Sequence, residues 1–161
     1  MPGREKDASA LHDLLAADHA DVHRLFDDFL QAVHANNWTT ADAVFNAIEL
    51  LAERHFAFEE LHVFPVFDEH REAAPDATCD TTRLRAQHDE IRAALAEVGI
   101  GLQLHQLRES AMQKFVETVE RHSAYEDAWA DAVVECMKRG GLAGVMARLR
   151  SLVPRIPGKS S

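Results

Sequence analysis

Two short segments of the sequence carry a histidine that is followed four residues later by a glutamate. They read ERHFAFEE and ERHSAYED, and five of their eight positions are identical. Residues four apart on an α-helix lie on one face of it, one turn apart. The pairs His55–Glu59 and His122–Glu126 therefore predict two helices that each present an imidazole and a carboxylate on the same side.

A further histidine precedes each of these segments. His19 lies in DHADV and His88 in QHDEI, and an apolar residue follows each histidine three positions later. The chain thus reads as two copies of a helix pair, in which the first helix contributes one histidine and the second contributes His-x-x-x-Glu. This duplication predicts a helical bundle with approximate twofold symmetry.

All six side chains fall within the apolar stripe of their helix, which places them in the interior. An unpaired buried carboxylate costs several kcal/mol even after relaxation, and ionisable residues are rarely buried without partners. Direct His–Glu hydrogen bonds would relieve part of that cost, whereas two divalent cations would relieve it better. Mixed nitrogen and oxygen donors suit iron or manganese, with zinc as a further candidate. The expected ligands are His19, His55, Glu59, His88, His122 and Glu126.

The rest of the sequence supplies helices to carry these residues. Apolar residues recur at helical spacing almost throughout, and strand-like alternation is absent. We expect helices over about 8–35, from a cap at Thr39 or Thr40 to about residue 70, from a cap at Asp80 to about residue 98, and, after the tripeptide GIG, on to about residue 138. Pro65 should kink the second helix or end it early. The prediction is an all-α, antiparallel up-down four-helix bundle.

The length of 161 residues suits a single domain, residues 1–161. The bundle would occupy about 8–138, and a short fifth helix at the C-terminal end about 141–153. The apolar side of that fifth helix must either cover the end of the bundle or meet a second subunit. Covering the bundle is more economical, so a monomer is expected, with a homodimer as the alternative.

The composition restricts the partners and the location. The net charge is −10 with histidine neutral, which argues against nucleic acid or an anionic membrane as the partner. The N-terminal residues lack the apolar run of a signal peptide, and no stretch has the uninterrupted apolar length of a transmembrane helix. The two cysteines form no CxxC pair. A cytoplasmic protein is expected.

The order of the six expected ligands, one histidine then His-x-x-x-Glu and the same again, resembles the hemerythrin-like, HHE cation-binding family. The segments DHADVHRLFDDFL and HFAFEELHVFP are also similar to that family, and the resemblance covers about residues 11–137. It implies a four-helix bundle around a non-haem di-iron centre, two iron ions bridged by oxide or hydroxide. Matched position by position, it implies that one iron is held by His19 and His55, the other by His88 and His122, and that the bridges are Glu59 and Glu126.

The sequence departs from the oxygen-carrying hemerythrins in two places. Their third helix carries His-x-x-x-His, whereas the residues one turn from His88 are Leu84 and Arg92. Their last carboxylate is an aspartate five residues after the histidine, a spacing that Asp127 keeps, although the repeat favours Glu126. Without the fifth histidine, the resemblance implies an open position that would bind dioxygen, nitric oxide or peroxide.

Five further residues are candidates for an extra ligand or for a contact that supports a ligand. His23 lies one turn after the histidine of the first helix. His62 follows on the stripe of the second helix and is either a hydrogen-bond donor behind a ligand or a packed core histidine. Tyr125 either packs between helices or contacts an iron. Glu60 and Asp127 lie at the edge of the seam, where they orient ligands or are simply solvated.

Three functions remain open at this stage. The first is a di-iron protein that binds or senses dioxygen, nitric oxide or peroxide, or that holds iron. The second is a di-iron enzyme, catalase-like or of a repair type, that acts on peroxide, nitric oxide or dioxygen. The third is a structural or interaction protein in which the histidines persist without metal. The sequence does not decide between the first two, because neither a substrate pocket nor a redox partner site can be read from it.

Overall fold

The fold is known here from a computed structural model that describes residues 2–73 and 80–138. A five-residue π-helical turn, Glu59–Val63, joins the second helix to the third. The helices are α1 (Pro2–His34), α2 (Trp38–Phe58), α3 (Phe64–Ala73), α4 (Thr82–Gln103) and α5 (Glu109–Lys138). Within the two described ranges there is no strand, and none of the helices is both long and apolar enough to cross a membrane. The expected fifth helix of the bundle, about 141–153, lies outside the described residues.

Contacts between side chains show that neighbouring helices run antiparallel. Between α2 and α4, Gln103 donates a hydrogen bond to Asp42 at 3.2 Å, and Arg92 donates to Glu53 at 3.0 Å. Residue numbers therefore rise along one helix as they fall along the other. Helix α1 packs on α2 and α5, and α4 packs on the same two helices. The prediction of an all-α antiparallel four-helix bundle is confirmed.

Apolar residues fill the bundle on both sides of the six polar residues. On one side, aromatic rings from α1 and α5 meet, with the centroids of Phe26 and Phe115 5.0 Å apart. On the other side, Phe67 of α3 lies edge-on to Trp129 of α5 at 4.9 Å. All four of these side chains are buried. The polar residues thus lie in a layer between two groups of packed rings.

Helix α4 continues through the GIG tripeptide, which was predicted to interrupt it. A Cβ atom on Gly99 would lie 3.1 Å from a ring carbon of Phe45, so this glycine permits close packing of α4 on α2. The helix ends instead at Gln103, where His105 adopts a positive φ of 49°. The N–H of Gln106 then donates to the carbonyl of Gly101 at 2.8 Å, the bond of a Schellman motif. The predicted end near residue 98 was wrong because this glycine serves packing and not termination.

The starts of the helices also differ in detail from expectation. Asn37 caps α2, because its side-chain oxygen accepts from the N–H of Thr40 at 3.2 Å and the helix begins at Trp38. The predicted cap at one of the two threonines was therefore wrong by two or three residues. Helix α4 begins at Thr82 with Thr81 at the N-cap position, so the predicted cap at Asp80 was wrong by one residue, although the Asp80 side chain accepts from the N–H of Thr82 at 3.0 Å.

The π turn lies where Pro65 was expected to disturb the second helix. The N–H of Phe64 donates to the carbonyl of Glu59, five residues back, and α3 then begins. Pro65 is the second residue of α3, in the first helical turn, where a missing N–H is tolerated. The wider turn contains one residue more than an α-helical turn. It rotates the residues that follow it relative to the stripe of α2.

Candidate metal centre

The two buried glutamates lie between imidazoles from both halves of the repeat. Glu126 Oε2 is 2.8 Å from Nε2 of His19 and 3.4 Å from Nε2 of His122. Glu59 Oε2 is 3.1 Å from Nε2 of His88 and 3.6 Å from Nε2 of His55. Each carboxylate therefore contacts one histidine of the first helix pair and one of the second. This is the placement that a bridging ligand needs.

Within residues 2–73 and 80–138, the inward-facing atoms of this cluster have no hydrogen-bond partners. The short separations between them are not aligned as hydrogen bonds, although the atoms themselves are buried. Buried polar atoms are almost always satisfied, so a group of unsatisfied ones points to a missing ion. The unpartnered atoms are Nε2 of His19, His55, His88 and His122, and both carboxylate oxygens of Glu59 and Glu126.

The ligand atoms form two overlapping groups, in each of which all atoms lie within 4.8 Å of one another. One group contains four residues and the other contains three, and His122 belongs to both. Nitrogen and carboxylate oxygen donors at such separations can hold a metal ion. The groups are His19, His55, His122 and Glu126, and Glu59, His88 and His122.

Three of the four imidazoles are held from behind through Nδ1. His55 contacts Asp18 at 3.1 Å, and His88 contacts Glu60 at 2.7 Å. When Nδ1–H donates to such an acceptor, Nε2 is left with the lone pair that a metal ion needs. Behind the third imidazole, the amide oxygen of Gln87 lies 3.4 Å from Nδ1 of His122. The donor set and its supporting contacts thus fit a bound cation.

Asp18 and Gln87 were not predicted as part of the site, although the repeat contained a signal for both. Each directly precedes the single histidine of its helix pair, in DHADV and QHDEI, and each supports the histidine of the following helix. These two segments already align Asp18 with Gln87. Their different chemistry, a carboxylate and an amide, is visible in the sequence, but their targets depend on helix packing.

Arg92 was also missed as a part of the site. Its guanidinium donates to Glu60 at 3.1 Å and to Glu53 at 3.0 Å, and it lies 5.0 Å from the centre of the Phe56 ring. The Phe56 ring in turn stacks on His88 with a centroid separation of 4.1 Å. Arg92, one helical turn after His88, thus fixes the carboxylate that lies behind this histidine.

The pKa values of the two buried glutamates are shifted strongly in opposite directions when no cation is bound. Burial raises the pKa of Glu59 well above its usual value, and the nearby Glu126 charge adds to the effect. Burial acts in the same direction on Glu126, but its contacts with Glu59, His19 and His55 outweigh burial and hold its pKa well below normal. The two carboxyls therefore behave as a pair that shares one proton. A bound cation would replace that proton.

The histidines are shifted in opposite directions. Burial lowers the pKa of His122 to about 3, and burial also lowers the pKa of His88 despite its contact with Glu60. Burial by itself would lower the pKa of His55, but the charge of Glu59 and the hydrogen bond to Asp18 outweigh it and raise the pKa well above normal. At neutral pH, His88 and His122 are therefore uncharged, and each can bind a metal ion without first releasing a proton.

The other candidate residues are placed as follows. His23 is exposed, and so is Asp127, on the outer side of α5. His62 is also exposed and contacts the ring of Phe58 at 6.0 Å, so its predicted place on the inner stripe was wrong. The π turn is the reason, because it rotates His62 outward. Tyr125 is half-buried under the guanidinium of Arg83, 4.5 Å above the ring.

A small cavity adjoins the cluster on the side of the apolar core. Its volume is about 20 Å³, and its accessible wall is apolar. A volume of about 10–15 Å³ on this scale is enough for one water molecule. The cavity is lined by residues of all four long helices, among them His19, His55 and His122, together with Ala52 and Val119. It has room for a guest of one or two heavy atoms beside the imidazoles.

A four-helix bundle with an internal histidine and carboxylate cluster defines a class of metal-binding proteins. The model of the family described as Hemerythrin HHE cation binding domain matches residues 10–133, and the chain belongs to this family. The matched region contains all six residues of the cluster. Comparison with curated proteins and with solved structures gave no match.

Proposed function

We propose that this protein binds two metal ions, with iron as the physiological metal, between its four histidines and two glutamates. The observation that carries the proposal is the group of buried, unpartnered nitrogen and oxygen atoms at the centre of the bundle. Leaving such atoms unpaired costs roughly 1–3 kcal/mol each, and more for charged groups. Manganese or zinc would satisfy the same donors, since the set combines imidazole nitrogen with carboxylate oxygen.

In this proposal, some residues bind the two ions directly and others orient the residues that bind them. Glu59 and Glu126 contact histidines of both halves, so they are the bridging ligands of this proposal. Asp18 and Glu60 keep the protons of their histidines on the outer nitrogen, which leaves the inner one free to bind. The metals, when bound, supply electrons and open coordination positions to a ligand.

We further propose that the loaded centre binds a small ligand such as dioxygen, nitric oxide or peroxide. The apolar cavity of about 20 Å³ beside the imidazoles supports this role, because a space of this volume suits a molecule of one or two heavy atoms. His19 is the least buried of the four histidines, with 12% of its side chain exposed, and it lines the cavity. Access for a small molecule is therefore expected on the side of His19.

The experiment is anaerobic loading of the purified protein with ferrous ion, followed by elemental analysis and visible absorption. We expect two iron ions per chain and an absorption change on addition of nitric oxide or air. The matched variants are Glu126→Gln, which removes a bridging carboxylate, and Glu120→Gln, which changes an exposed glutamate of the same helix. The first should lose iron, while the second should bind like the parent protein.

Stoichiometry of the response separates binding from catalysis. One equivalent of ligand that saturates the spectral change supports a binding or sensing role. Continued consumption of peroxide or nitric oxide beyond one equivalent would replace that role by the enzymatic alternative. If ferrous, manganous and zinc ions all fail to bind at micromolar concentration, the metal-binding function is refuted.

A further inference from the structure

The two halves of the centre do not offer equal sets of ligands. Around His19 and His55, four donor atoms already lie within 4.8 Å of one another, because His122 and Glu126 complete the group. Around His88, the corresponding group has three donors, and one of them is the same His122. A cation that enters the protein therefore finds a more complete site on the side of His19 and His55.

The supporting contacts differ between the halves in the same direction. Behind His55 stands the carboxylate of Asp18, whose nearest guanidinium, that of Arg54, is 3.7 Å away. Behind His88 stands Glu60, whose charge is shared more closely, because Arg92 donates a hydrogen bond to it at 3.1 Å. A carboxylate on the outer nitrogen raises the basicity of an imidazole ligand, so a carboxylate neutralised by arginine supports it less.

His122 has the weakest support of the three imidazoles with an outer partner. The amide oxygen of Gln87 carries no charge, and it lies 3.4 Å from Nδ1 of His122, compared with 2.7 Å between Glu60 and His88. Among these three rings, that of His122 is therefore the one whose orientation is least fixed by its outer contact. It is also the ring that both groups of donors share.

We infer that the centre fills in a fixed order, in which the group of His19, His55, Glu126 and His122 takes the first cation. The second cation then draws His122 over to His88 and Glu59. Gln87 is a positioning residue in this scheme, because its long, uncharged contact leaves His122 free to change partner. The inference rests on the proposed two-metal function and adds to it an order of loading and a shared ligand.

The most direct test uses the unmodified protein with ¹⁵N-labelled histidine and zinc ion alone. We expect the first equivalent to shift the Nε2 resonances of His19, His55 and His122, and the second to shift His88 and His122. If the His88 resonance moves with the first equivalent, or all four move together, the order is refuted while the two-metal function stands. If no resonance moves, both are refuted.

A second test compares affinities under chelator competition with cobaltous ion. His88→Gln should keep one binding step of unchanged affinity, whereas His19→Gln should lose the tighter step. Gln87→Glu gives His122 a charged partner that holds its ring, so it should lower the affinity of the second step relative to the first by about 10-fold, within the range of about 10–100-fold that partners behind a ligand contribute. Equal losses in both histidine variants, or an unchanged second step in the Gln87→Glu protein, would overturn the assignment.

Discussion

Glu60 Oε1 lies 2.7 Å from Nδ1 of His88, on the opposite side of the ring from the contact between Nε2 and Glu59. Two consecutive residues thus hold the two nitrogens of one imidazole. Consecutive side chains on an α-helix point about 100° apart, so this arrangement is unusual for a regular helix. It occurs where the π turn begins, and π turns of this kind are frequent at functional sites.

Neutralising Glu60 should weaken metal binding without removing a ligand. In Glu60→Gln, an amide oxygen can still accept from His88, but the negative charge is lost. We expect an affinity for zinc about 10-fold lower in a chelator competition assay. Glu53→Gln is the matched control, because Glu53 also contacts Arg92 but no histidine of the cluster, and comparable losses in both variants would contradict the argument.

The substitution Glu59→Gln should lower the free energy of unfolding of the metal-bound protein but not that of the metal-free protein. Without metal, Glu59→Gln removes a buried acid that burial and Glu126 already disfavour as an anion, so stability should be unchanged or higher. With metal, the variant should lose most of the gain from ligation. For the parent protein that gain is about 2.7 kcal/mol at a free metal concentration 100-fold above Kd.

The measurement is denaturant unfolding of each protein, with and without zinc at a concentration about 100-fold above Kd. Glu120→Gln, on the exposed side of α5, should behave as the parent protein in both conditions. A loss of metal-free stability in Glu59→Gln as large as its loss of metal-bound stability would show that the carboxylate serves the fold and not the ion.

Filling the small cavity should block the ligand and spare the metal. Ala52 lines the cavity, and the two extra methyl groups of Ala52→Val would occupy much of its volume of about 20 Å³. We expect unchanged iron stoichiometry but an affinity for nitric oxide at least about 10-fold lower, equivalent to about 1.4 kcal/mol. Ala43→Val, at an exposed position of the same helix, is the control.

Stability of the metal-free protein should fall as the pH is lowered below about 6.5, the usual pKa of histidine. Burial holds the pKa of His122 at about 3, so the unfolded chain takes up a proton that the folded chain refuses. One such group lowers the free energy of unfolding by about 1.4 kcal/mol per pH unit. His55, whose pKa is raised, opposes this decline near pH 6.5 and adds little slope below about pH 5.5, where it is protonated in both states.

Denaturant unfolding at intervals between pH 6.5 and 5 checks this expectation. Glu59, with its raised pKa, works against the slope, so the informative quantity is the difference between proteins. His122→Asn should flatten the decline, whereas His34→Asn, at an exposed position, should leave it unchanged. An identical decline in His122→Asn and in the parent protein would contradict the assignment.

The sequence was most informative where regular helix geometry decides the outcome. Spacing of four placed His55 with Glu59 and His122 with Glu126, and all four side chains are buried as expected. Regular α-helical spacing gave the wrong position for His62. This residue lies within the π turn, which is defined by a change in backbone hydrogen bonding that the spacing of side chains does not reveal. Gly99 was misread for a related reason, since its role depends on Phe45, a residue of another helix.

The contact of Gly99 with Phe45 also has a consequence for the histidines. It favours one axial register of α4 relative to α2. Gly99 lies eleven residues, or about 16 Å, along α4 from His88. A slip of one turn would carry His88 about 5.4 Å past its neighbours and would separate it from Glu59 altogether. The absence of a side chain at Gly99 thus contributes, from one end of the bundle, to the distance between nitrogen and oxygen near its middle.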